Sequence, residues 1–572
     1  MRKRITGKTH VGERRERRPN GDIYIYERIT AYNEKTHQSY TLSQKLKGKI
    51  KSGTQEMAPT RPKKLKGEKR EVIGAQRMHT GLTDILEWVG NTSGIDADVR
   101  SSFSDGDAAK ILSIVRYWIG TGGNTLPRLE SWQVMHPLPY REAMTENVYG
   151  DLFKAIGRTE ESVQRYFSFR AAHLNKSPVL AFDSTTISTY SENQSDARRG
   201  FNKDGNGLNT IKLLTLYSVK DREPVAFAKQ PGNIPDVISI ENALEQLKCL
   251  NLEKPLIVTD NGYYSQDNMM EFARRNVKFL TLVDPDITWV RESVDALRET
   301  LASLSSTCPF DPSVCGATTV RMHEFSRVRQ RSRNGSESGE NEVFSRRLYV
   351  HVFYSPDNGA KKELAFRKDL LELKAQMEDG ETEFTNSAQR KIDKYLTCSK
   401  MGRGGQMKIG FNDNAIVEAK KYFGNFALVS NQAMDTFTAL ENYRLREKIE
   451  ELFADQKGGL DGARPRTWYP DNLRGRQFVQ FVALGYYCFL AKKISELQAG
   501  LGKNETGKTK ALVTLETKLR KWLNQRSLSQ ILDWFDCIET TTVQTAMGNY
   551  RWSTESVARD RLFLDRLGVS SK

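Results

Sequence analysis

Two short apolar runs that each end in an aspartate constrain the fold of this chain more than any other feature. The runs Val179–Asp183 and Leu256–Asp260 are rich in aliphatic and β-branched residues, which is typical of strands buried on both faces. A carboxylate at the end of such a strand has lost much of its water. The two acids therefore require an explanation.

The elements around these runs predict how they are arranged. Antiparallel strands over Asn209–Ser218 and Val225–Lys229 follow the first run, and a helix over Val237–Leu250 leads into the second. A helix near Gln266–Arg275 and a strand over Phe279–Val283 complete the series. The order β-β-β-α-β-α-β, with antiparallel strands first and parallel crossovers later, predicts a ribonuclease-H-like α/β fold.

The alternation stops after Pro285. A strand over Arg347–Tyr354 and a helix near Leu364–Met377 indicate an inserted subdomain, which we interpret as mainly β. A strand then returns at Phe426–Ser430, and Asp435 is positioned to cap a long helix over Leu440–Gln456. The predicted parts are a basic arm with a β-hairpin (1–70), a helical domain (71–176), an α/β core (177–285 and 426–495), the insertion (286–425) and a C-terminal helical region (496–572).

Positive charge is concentrated at the N-terminus. The 572-residue chain has a net charge of +16, and residues 1–70 hold 20 basic and 7 acidic residues, a net charge of +13. Residues 1–18 are a charge run typical of a solvated tail. The arm is expected to bind a polyanion, with DNA or RNA favoured over a membrane, although a hairpin that only packs on the body explains the pattern equally well. The hairpin presents four tyrosines between cations: Tyr24, Tyr26, Tyr32 and Tyr40.

Composition argues against several classes of protein. The longest apolar run, Phe478–Ala491, is shorter than the ~20 residues that cross a bilayer, so we predict a buried helix there. No apolar stretch follows the N-terminal Arg and Lys residues, which argues against a secretory signal. The six cysteines form no C-x-x-C pair and the seven histidines no H-x3-H or H-E-x-x-H motif. A reducing cytoplasm fits best, and a catalytic metal would have to be bound by carboxylates.

Asp183 and Asp260 are the first candidates for such a metal site, because the predicted fold puts their strands side by side. One strand-end aspartate alone is more often a turn or cap residue, but the pair favours a site for Mg²⁺, which prefers oxygen ligands. Two such ions can activate a water or a 3'-hydroxyl and stabilise the leaving oxygen in phosphoryl transfer. That arrangement requires a third acid.

Glu450 is the candidate for the third acid. Together with Tyr443, Arg446 and Lys457 it falls within roughly 60° of arc on one predicted helix. The carboxylate suits a metal ion, and the two cations suit phosphates. On spacing alone, a surface ladder of i,i+4 ion pairs is the better explanation of these residues.

The pattern Y-x2-R-x3-E-x6-K formed by Tyr443, Arg446, Glu450 and Lys457 resembles the signature of the YREK group of DDE insertion-sequence transposases, an insertion-sequence-four-like superfamily. The segments Leu180-Ala-Phe-Asp-Ser-Thr-Thr and Val258-Thr-Asp-Asn-Gly-Tyr are similar to the other two acidic motifs of that group, and residues 231–236 resemble the loop between them. The resemblance covers about residues 178–495.

This resemblance implies a transposase that binds the terminal inverted repeats of an insertion sequence, cleaves the ends and joins their 3'-hydroxyls to target DNA, through an expected hairpin intermediate. The implied partners are double-stranded DNA, with residues 71–176 as the candidate domain for DNA ends, and a second copy of the chain, with residues 496–572 as the candidate dimerisation region. Residues 177–285 and 426–495 would be the catalytic core, and neither a membrane nor a small-molecule substrate is implied. The implied metal is two Mg²⁺ ions, for which Mn²⁺ would substitute. By the same resemblance, Asp183, Asp260 and Glu450 are the catalytic metal ligands, and Tyr443, Arg446 and Lys457 bind DNA.

Trp289 is a further candidate, because related enzymes use an aromatic residue of the insertion to stabilise a flipped base at the hairpin. A tryptophan is more often part of a core, however. Two alternative functions stay open, namely a structure-selective nuclease with the same core and a catalytically silent DNA-binding protein derived from a transposase. The presence of all three acids counts against the silent protein.

Overall fold

The computed structural model describes residues 9–569 except residues 35, 60–71, 176, 201, 203–204, 241–243, 246–249, 253–254, 329–338, 340, 402–405, 463, 465, 504–507, 546–547 and 555. The chain divides into two compact units. The first contains residues 1–75 and 543–550, and the second contains residues 76–542 and 551–572. Most of the predicted basic linker after residue 51 lies outside the described residues.

The first unit contains a four-stranded antiparallel sheet. In sheet order its strands are β1 (Thr9–Arg17), β2 (Ile23–Asn33), β3 (Gln38–Ile50) and β4 (Met57–Pro59). β2 and β3 form the predicted hairpin, and β1 pairs with β2 along its whole length. The interpretation of the charge run as a solvated tail is therefore wrong for β1. Charged residues are common on edge strands because they oppose pairing with other chains, so charge did not exclude a strand here.

Helices occupy most of the chain from residue 81 to residue 172, within the predicted helical domain. In the first helix Leu82, Ile85, Leu86 and Val89 are all buried, as their spacing on one face requires. The strand β5 (Val72–His79) precedes these helices. The helices are α1 (Gly81–Thr92), α2 (Ile95–Ser102), α3 (Asp105–Gly120), α4 (Leu129–Gln133), α5 (Glu146–Arg158) and α6 (Glu160–Ala172).

A nine-stranded mixed sheet forms within the described part of the second unit. Five of its strands are β6 (Val179–Thr189), β7 (Asn209–Ser218), β8 (Glu223–Pro231), β9 (Leu256–Thr259) and β10 (Lys278–Val283). They lie in the order β8-β7-β6-β9-β10, with parallel pairing of β6, β9 and β10 and antiparallel pairing of β6, β7 and β8. This order confirms the predicted ribonuclease-H-like core. The helix α7 (Gln266–Arg274) leads into β10, whereas the helix predicted over residues 237–250 lies partly outside the described residues.

The long strands of the insertion continue the central sheet. β13 pairs with β16, which in turn pairs with β10. The prediction of a mainly β insertion holds for this extension and is wrong for the remainder, where exposed, charge-rich helices carry little apolar periodicity. The elements are α8 (Thr288–Leu301), β11 (Thr307–Cys308), β12 (Asp311–Val328), β13 (Asn341–Tyr354), α9 (Pro356–Glu378), α10 (Asn386–Tyr395), β14 (Leu396–Met401), β15 (Gln406–Phe411), α11 (Asp413–Lys420) and β16 (Asn425–Ser430).

Three helices follow the central sheet: α12 (Thr436–Leu445), α13 (Lys448–Gly459) and α14 (Pro470–Gly500). As predicted, the Asp435 carboxylate caps the first of them by accepting hydrogen bonds from two backbone N–H groups. The helix predicted as continuous over residues 440–456 is instead interrupted between α12 and α13. α14 buries every residue from Phe478 to Tyr486, which confirms the predicted buried helix. Among the helices that the structure describes, none has both the length and the apolarity needed to cross a bilayer.

The C-terminal region is not wholly helical, contrary to prediction. It contains α15 (Lys510–Asn524), α16 (Leu528–Asp536), β17 (Glu539–Thr545), β18 (Gly548–Ser553) and α17 (Ala558–Leu567). The two strands form a three-stranded sheet with β5, in the order β18-β17-β5. Thr540-Thr-Thr-Val543 is a run of β-branched residues, which favours a strand and accounts for this part of the chain.

Candidate active site

Asp183 and Asp260 lie at the point where β6 and β9 stop pairing. The two strands pair in parallel along three residues each, Val179–Ala181 with Leu256–Val258. Continued by two residues, the same register puts Asp183 opposite Asp260. Neighbouring strands lie about 4.8 Å apart, so the two carboxylates share one edge of the sheet.

The two aspartates differ in how their strands continue. Asp260 directly follows β9, as predicted. Asp183 lies in the middle of β6, so its predicted position at a strand end is wrong. The apolar run stops there, but polar residues as far as Thr189 continue to pair with β7. Asp183 is nearly buried, and its Oδ1 accepts a 2.7 Å hydrogen bond from the N–H of Ser184.

The junction between α12 and α13 brings Tyr443, Arg446 and Glu450 to the same edge. Around the junction the backbone N–H groups of Arg446 and Glu450 donate to carbonyls three residues earlier, at 3.0 Å each. Such bonds tighten the helix locally, and no Gly or Pro occurs there to indicate a break. The predicted common face of four residues on one helix is therefore wrong. Within α13 itself, Glu450 and Lys457 still share a face, about 10 Å apart along the axis.

Arg446 lies among the three acids. Its guanidinium is 3.4 Å from Asp183 Oδ2, 3.9 Å from Asp260 Oδ2 and 3.5 Å from Glu450 Oε1. Its side chain is only 6% exposed. Burial alone would lower the pKa of Arg446, but the oxygens of Tyr443 and of the three carboxylates raise it above its ordinary value. The guanidinium is thus a permanent positive charge held by the carboxylates.

Tyr443 fixes one of these carboxylates. Its hydroxyl donates a 2.9 Å hydrogen bond to Asp260 Oδ1. Burial, and next the negative charge of Asp260, raise the pKa of the Tyr443 phenol above its ordinary value. The phenol therefore stays protonated and remains a hydrogen-bond donor at neutral pH.

The three acids suit a hard divalent cation by their chemistry, since all their donor atoms are carboxylate oxygens. In the described residues these oxygens do not all come within 4.8 Å of one another, because the Arg446 guanidinium lies between them. The side chain of Glu450 is 63% exposed and can rotate towards an ion, whereas that of Asp260, 42% exposed, is held by Tyr443. The residues fit a metal site in which Arg446 either shares the carboxylates or moves aside.

A second acid–base pair, which the sequence analysis missed, lies beside Asp183. Lys212 is buried in β7, and its ammonium donates to Asp236 Oδ1 at 2.7 Å. The same oxygen accepts a 2.8 Å hydrogen bond from the hydroxyl of Ser184. The available signal was a lysine inside the apolar strand Ile211-Lys-Leu-Leu, which would require a buried partner.

Trp289 is half-buried at the start of α8. Its ring lies 4.6 Å from that of His323, and the Arg321 guanidinium stacks on it at 5.3 Å. The Arg321 side chain also donates to the Trp289 carbonyl. The tryptophan is thus packed at the edge of the core, and its predicted role at a hairpin stays a prediction.

In the first unit, one face of the four-stranded sheet combines cations and tyrosines. Tyr24, Tyr26 and Arg28 alternate along β2 and so point to the same side. Arg14 on β1 lies opposite Tyr26, and Lys49 on β3 lies opposite Tyr24. On the same strand, Lys47 pairs with Glu13 at 2.9 Å, whereas Lys49 is 4.0 Å from Asp22. Tyr32 and Tyr40, the other two tyrosines of the predicted hairpin, are 43% and 42% exposed.

Comparison with known proteins identifies the class. Residues 174–481, more than half of the chain, match the model of the transposase DDE domain, so the chain belongs to this family of transposases. A search of curated proteins finds no match. One similar solved structure is a cryo-EM structure of the piggyBac transposase synaptic complex with hairpin DNA, at 10% identity and a TM-score of 0.34, covering 80% of this chain and 78% of that one.

Proposed function

We propose that this chain is an insertion-sequence transposase of the YREK group, which cleaves the terminal inverted repeats of its element and joins the 3'-hydroxyl ends to target DNA. The observation that carries the proposal is the register of Asp183 and Asp260 on adjoining strands, with Glu450 drawn to the same edge. Membership of the DDE domain family supports it. A hairpin intermediate is the expected route between cleavage and joining.

Asp183, Asp260 and Glu450 would hold two Mg²⁺ ions, with Mn²⁺ as a substitute. When bound, such ions supply an activated water or 3'-hydroxyl and stabilise the leaving oxygen of an in-line phosphoryl transfer. The chain supplies the geometry, because β6 and β9 fix the two aspartates and the mostly exposed Glu450 adjusts from α13.

Arg446, Tyr443 and Lys457 would position the phosphates of the DNA end. Arg446 offers a planar fork that fits phosphate oxygens, and its raised pKa keeps it charged. Tyr443 orients Asp260 by its hydrogen bond. Lys457, further along α13, would contact a neighbouring phosphate as a point charge.

The face of the first unit that carries Tyr24 and Tyr26, called the tyrosine face below, would bind the DNA backbone. Three cations (Arg14, Arg28 and Lys49) flank two rings there, which suits phosphate contacts with stacking on sugars or bases. A second copy of the chain is the expected partner, since two element ends have to be held together during joining. A structure-selective nuclease would share the same core, and it would cut without requiring the terminal repeats.

The decisive experiment is Mg²⁺-dependent cleavage of the element's end DNA by the wild type and by Glu450→Gln. Loss of a metal-binding carboxylate should remove several kcal/mol of transition-state stabilisation, so we expect cleavage to fall roughly 1,000-fold. The matched control is Glu441→Gln, since Glu441 is exposed on α12 about 200° around the helix from Tyr443. A Glu450→Gln variant that cleaves like the wild type would refute the site, and equal cleavage of unrelated hairpins or flaps would favour the nuclease.

The salt dependence of DNA binding tests the role of the tyrosine face. We expect the triple variant Arg14→Gln, Arg28→Gln and Lys49→Gln to flatten the plot of log K against log salt by up to about 2.7 slope units, since each lost phosphate contact removes about 0.9. Lys47→Gln is the control, because Glu13 already offsets its charge. Equal slopes in the triple variant and the wild type would mean that this face does not contact DNA phosphates.

A further inference from the structure

Two histidines and two acids from distant parts of the chain meet in the second unit. His79 ends β5, His136 follows α4, Asp536 ends α16 and Glu539 begins β17. One donor atom from each of His79, His136 and Asp536 lies within 4.8 Å of the other two. No short sequence motif indicates this group, because His136 and Asp536 are 400 residues apart.

The hydrogen bonds of His136 leave one ring nitrogen facing a carboxylate. Its Nδ1 is 2.8 Å from the carbonyl oxygen of Trp132, an acceptor, so Nδ1 carries a proton. Its Nε2 lies 2.9 Å from Asp536 Oδ1. In a neutral ring with that tautomer, Nε2 is a lone pair facing another acceptor. The contact therefore requires either a proton or a metal ion between the two atoms.

His79 has the same tautomer, but the carboxylate of Asp536 lies on the Nδ1 side of its ring, at 3.8 Å, and that of Glu539 on the Nε2 side. The Nδ1 of His79 is 2.6 Å from the carbonyl oxygen of Asp536 and so also carries the proton, which leaves the Nε2 lone pair 3.7 Å from Glu539 Oε1. Arg77 binds the other oxygen of Glu539. An imidazole whose Nδ1–H donates to a backbone carbonyl while Nε2 faces other ligands is the usual arrangement of histidines that bind metals.

Packing and charge support a cation here. The His136 ring is buried between two others, 3.6 Å from Trp132 and 4.7 Å from His79, which fixes its orientation. Asp536 Oδ1 lies 2.9 Å from His136 Nε2 and Glu539 Oε1 lies 3.7 Å from His79 Nε2, so one carboxylate faces each imidazole.

We propose that His79, His136 and Asp536 bind a structural Zn²⁺ ion, with Glu539 as the fourth ligand. Two imidazole nitrogens and two carboxylates are ordinary ligands of four-coordinate zinc. His79, His136 and Asp536 present donor atoms within 4.8 Å of one another, and Glu539 lies beside them with Oε1 3.7 Å from His79 Nε2. Zinc–ligand bonds of about 2.0–2.2 Å require these donor atoms to move closer together, by movement of the partly exposed Asp536 and Glu539 side chains. The ion would join β5 and the segment after α4 to the start of β17, and so tie the C-terminal region to the helices at the N-terminal side of the core.

The test uses the full-length chain, stripped with a chelator and titrated with Zn²⁺, and with Co²⁺ as a spectroscopic probe of nitrogen ligands. The background variant Asp260→Asn weakens metal binding at the carboxylate site. We expect one equivalent of Zn²⁺ to bind in this background, with a rise in Tm and a visible Co²⁺ spectrum. His136→Gln should weaken binding by about 100-fold or more, since even loss of an outer partner costs 10–100-fold.

Two further variants keep the outcome decisive. Asp536→Asn retains the shape of a half-exposed side chain and should also lose the bound ion, which covers the case in which His136→Gln does not fold. His173→Gln is the control, because His173 lies beside Asp98 outside the cluster. Absence of a bound Zn²⁺ ion in the background variant, or equal affinity in Asp536→Asn, would overturn the proposal. In a chain that keeps Asp260, loss of zinc from Asp536→Asn with normal DNA cleavage would leave the proposed transposase function untouched.

Discussion

Two groups of acids in the second unit each face nitrogen-containing side chains, and these side chains differ in chemistry. Asp183, Asp260 and Glu450 surround the guanidinium of Arg446, whereas Asp536 and Glu539 face two imidazoles. A guanidinium never gives up its proton in a protein, but an imidazole readily exchanges its proton for a metal. A metal entering the histidine group would meet two imidazoles and two carboxylates, while an ion entering the carboxylate group would meet the guanidinium of Arg446, which has to share the carboxylates or move aside.

Exposure separates the two groups as well. Glu450 is 63% exposed, while the His136 side chain is 6% exposed and clamped between two rings. An open carboxylate edge permits DNA and hard ions to come and go, which catalysis requires. A closed site with nitrogen ligands favours a tightly held ion. Under the two proposals, carboxylates serve turnover in one place and structure in the other.

Among the variants that test this difference between the two groups, Arg446→Gln is expected to change metal binding the most. Without the guanidinium, the nearly buried Asp183 loses its charged partner, at a cost of about 1–3 kcal/mol. Removal of a positive charge about 5 Å from a divalent ion relieves about 1.7 kcal/mol even in a water-like dielectric, so Mg²⁺ affinity should rise about tenfold or more. DNA cleavage should fall at the same time, because the phosphate fork is lost. The measurements are Tm with and without Mg²⁺, and the cleavage rate.

Arg444→Gln provides the control for that experiment. Arg444 lies two residues before Arg446 in the sequence. It is ion-paired with Asp311, which belongs to neither group of acids. It should keep the Mg²⁺ response of the wild type. An identical Mg²⁺ response in Arg446→Gln would mean that the guanidinium does not compete with the ion, and the contrast between the two groups would fail.

The sequence was informative where the fold depends on apolar runs. The order of five strands, the pairing of β6 with β9 and the cap at Asp435 all follow from local patterns, and the register that puts Asp183 opposite Asp260 follows from those strands. The junction at Arg446 could not be predicted, because no helix-breaking residue occurs there. Its cause is tertiary, since the helix tightens where Arg446 reaches three carboxylates.

The histidine group shows a second limit. Absence of the H-x3-H and H-E-x-x-H motifs excluded only sites built within one helix, while His136 and Asp536 meet through folding across 400 residues. The β17–β18 hairpin, predicted as helix, places Glu539 beside His79. The two misses differ in origin, because the β-branched run at residues 540–543 was a local signal for β17, whereas the meeting of the histidines with Asp536 has no local pattern.

The smallest effect is expected from Tyr443→Phe. The variant removes the hydrogen bond to Asp260 and leaves the ring in place, and a bond of this kind contributes about 1 kcal/mol, which corresponds to roughly a fivefold fall in cleavage rate. Because burial and Asp260 raise the pKa of this phenol, it stays protonated below about pH 10, and the pH–rate profiles of variant and wild type should be parallel over the neutral range. Tyr469→Phe, at an exposed tyrosine before α14, is the control. A difference in shape between the two pH–rate profiles would mean that Tyr443 transfers a proton during cleavage. The carboxylate group would then depend on an exchangeable proton, and the contrast with the histidine group would fail.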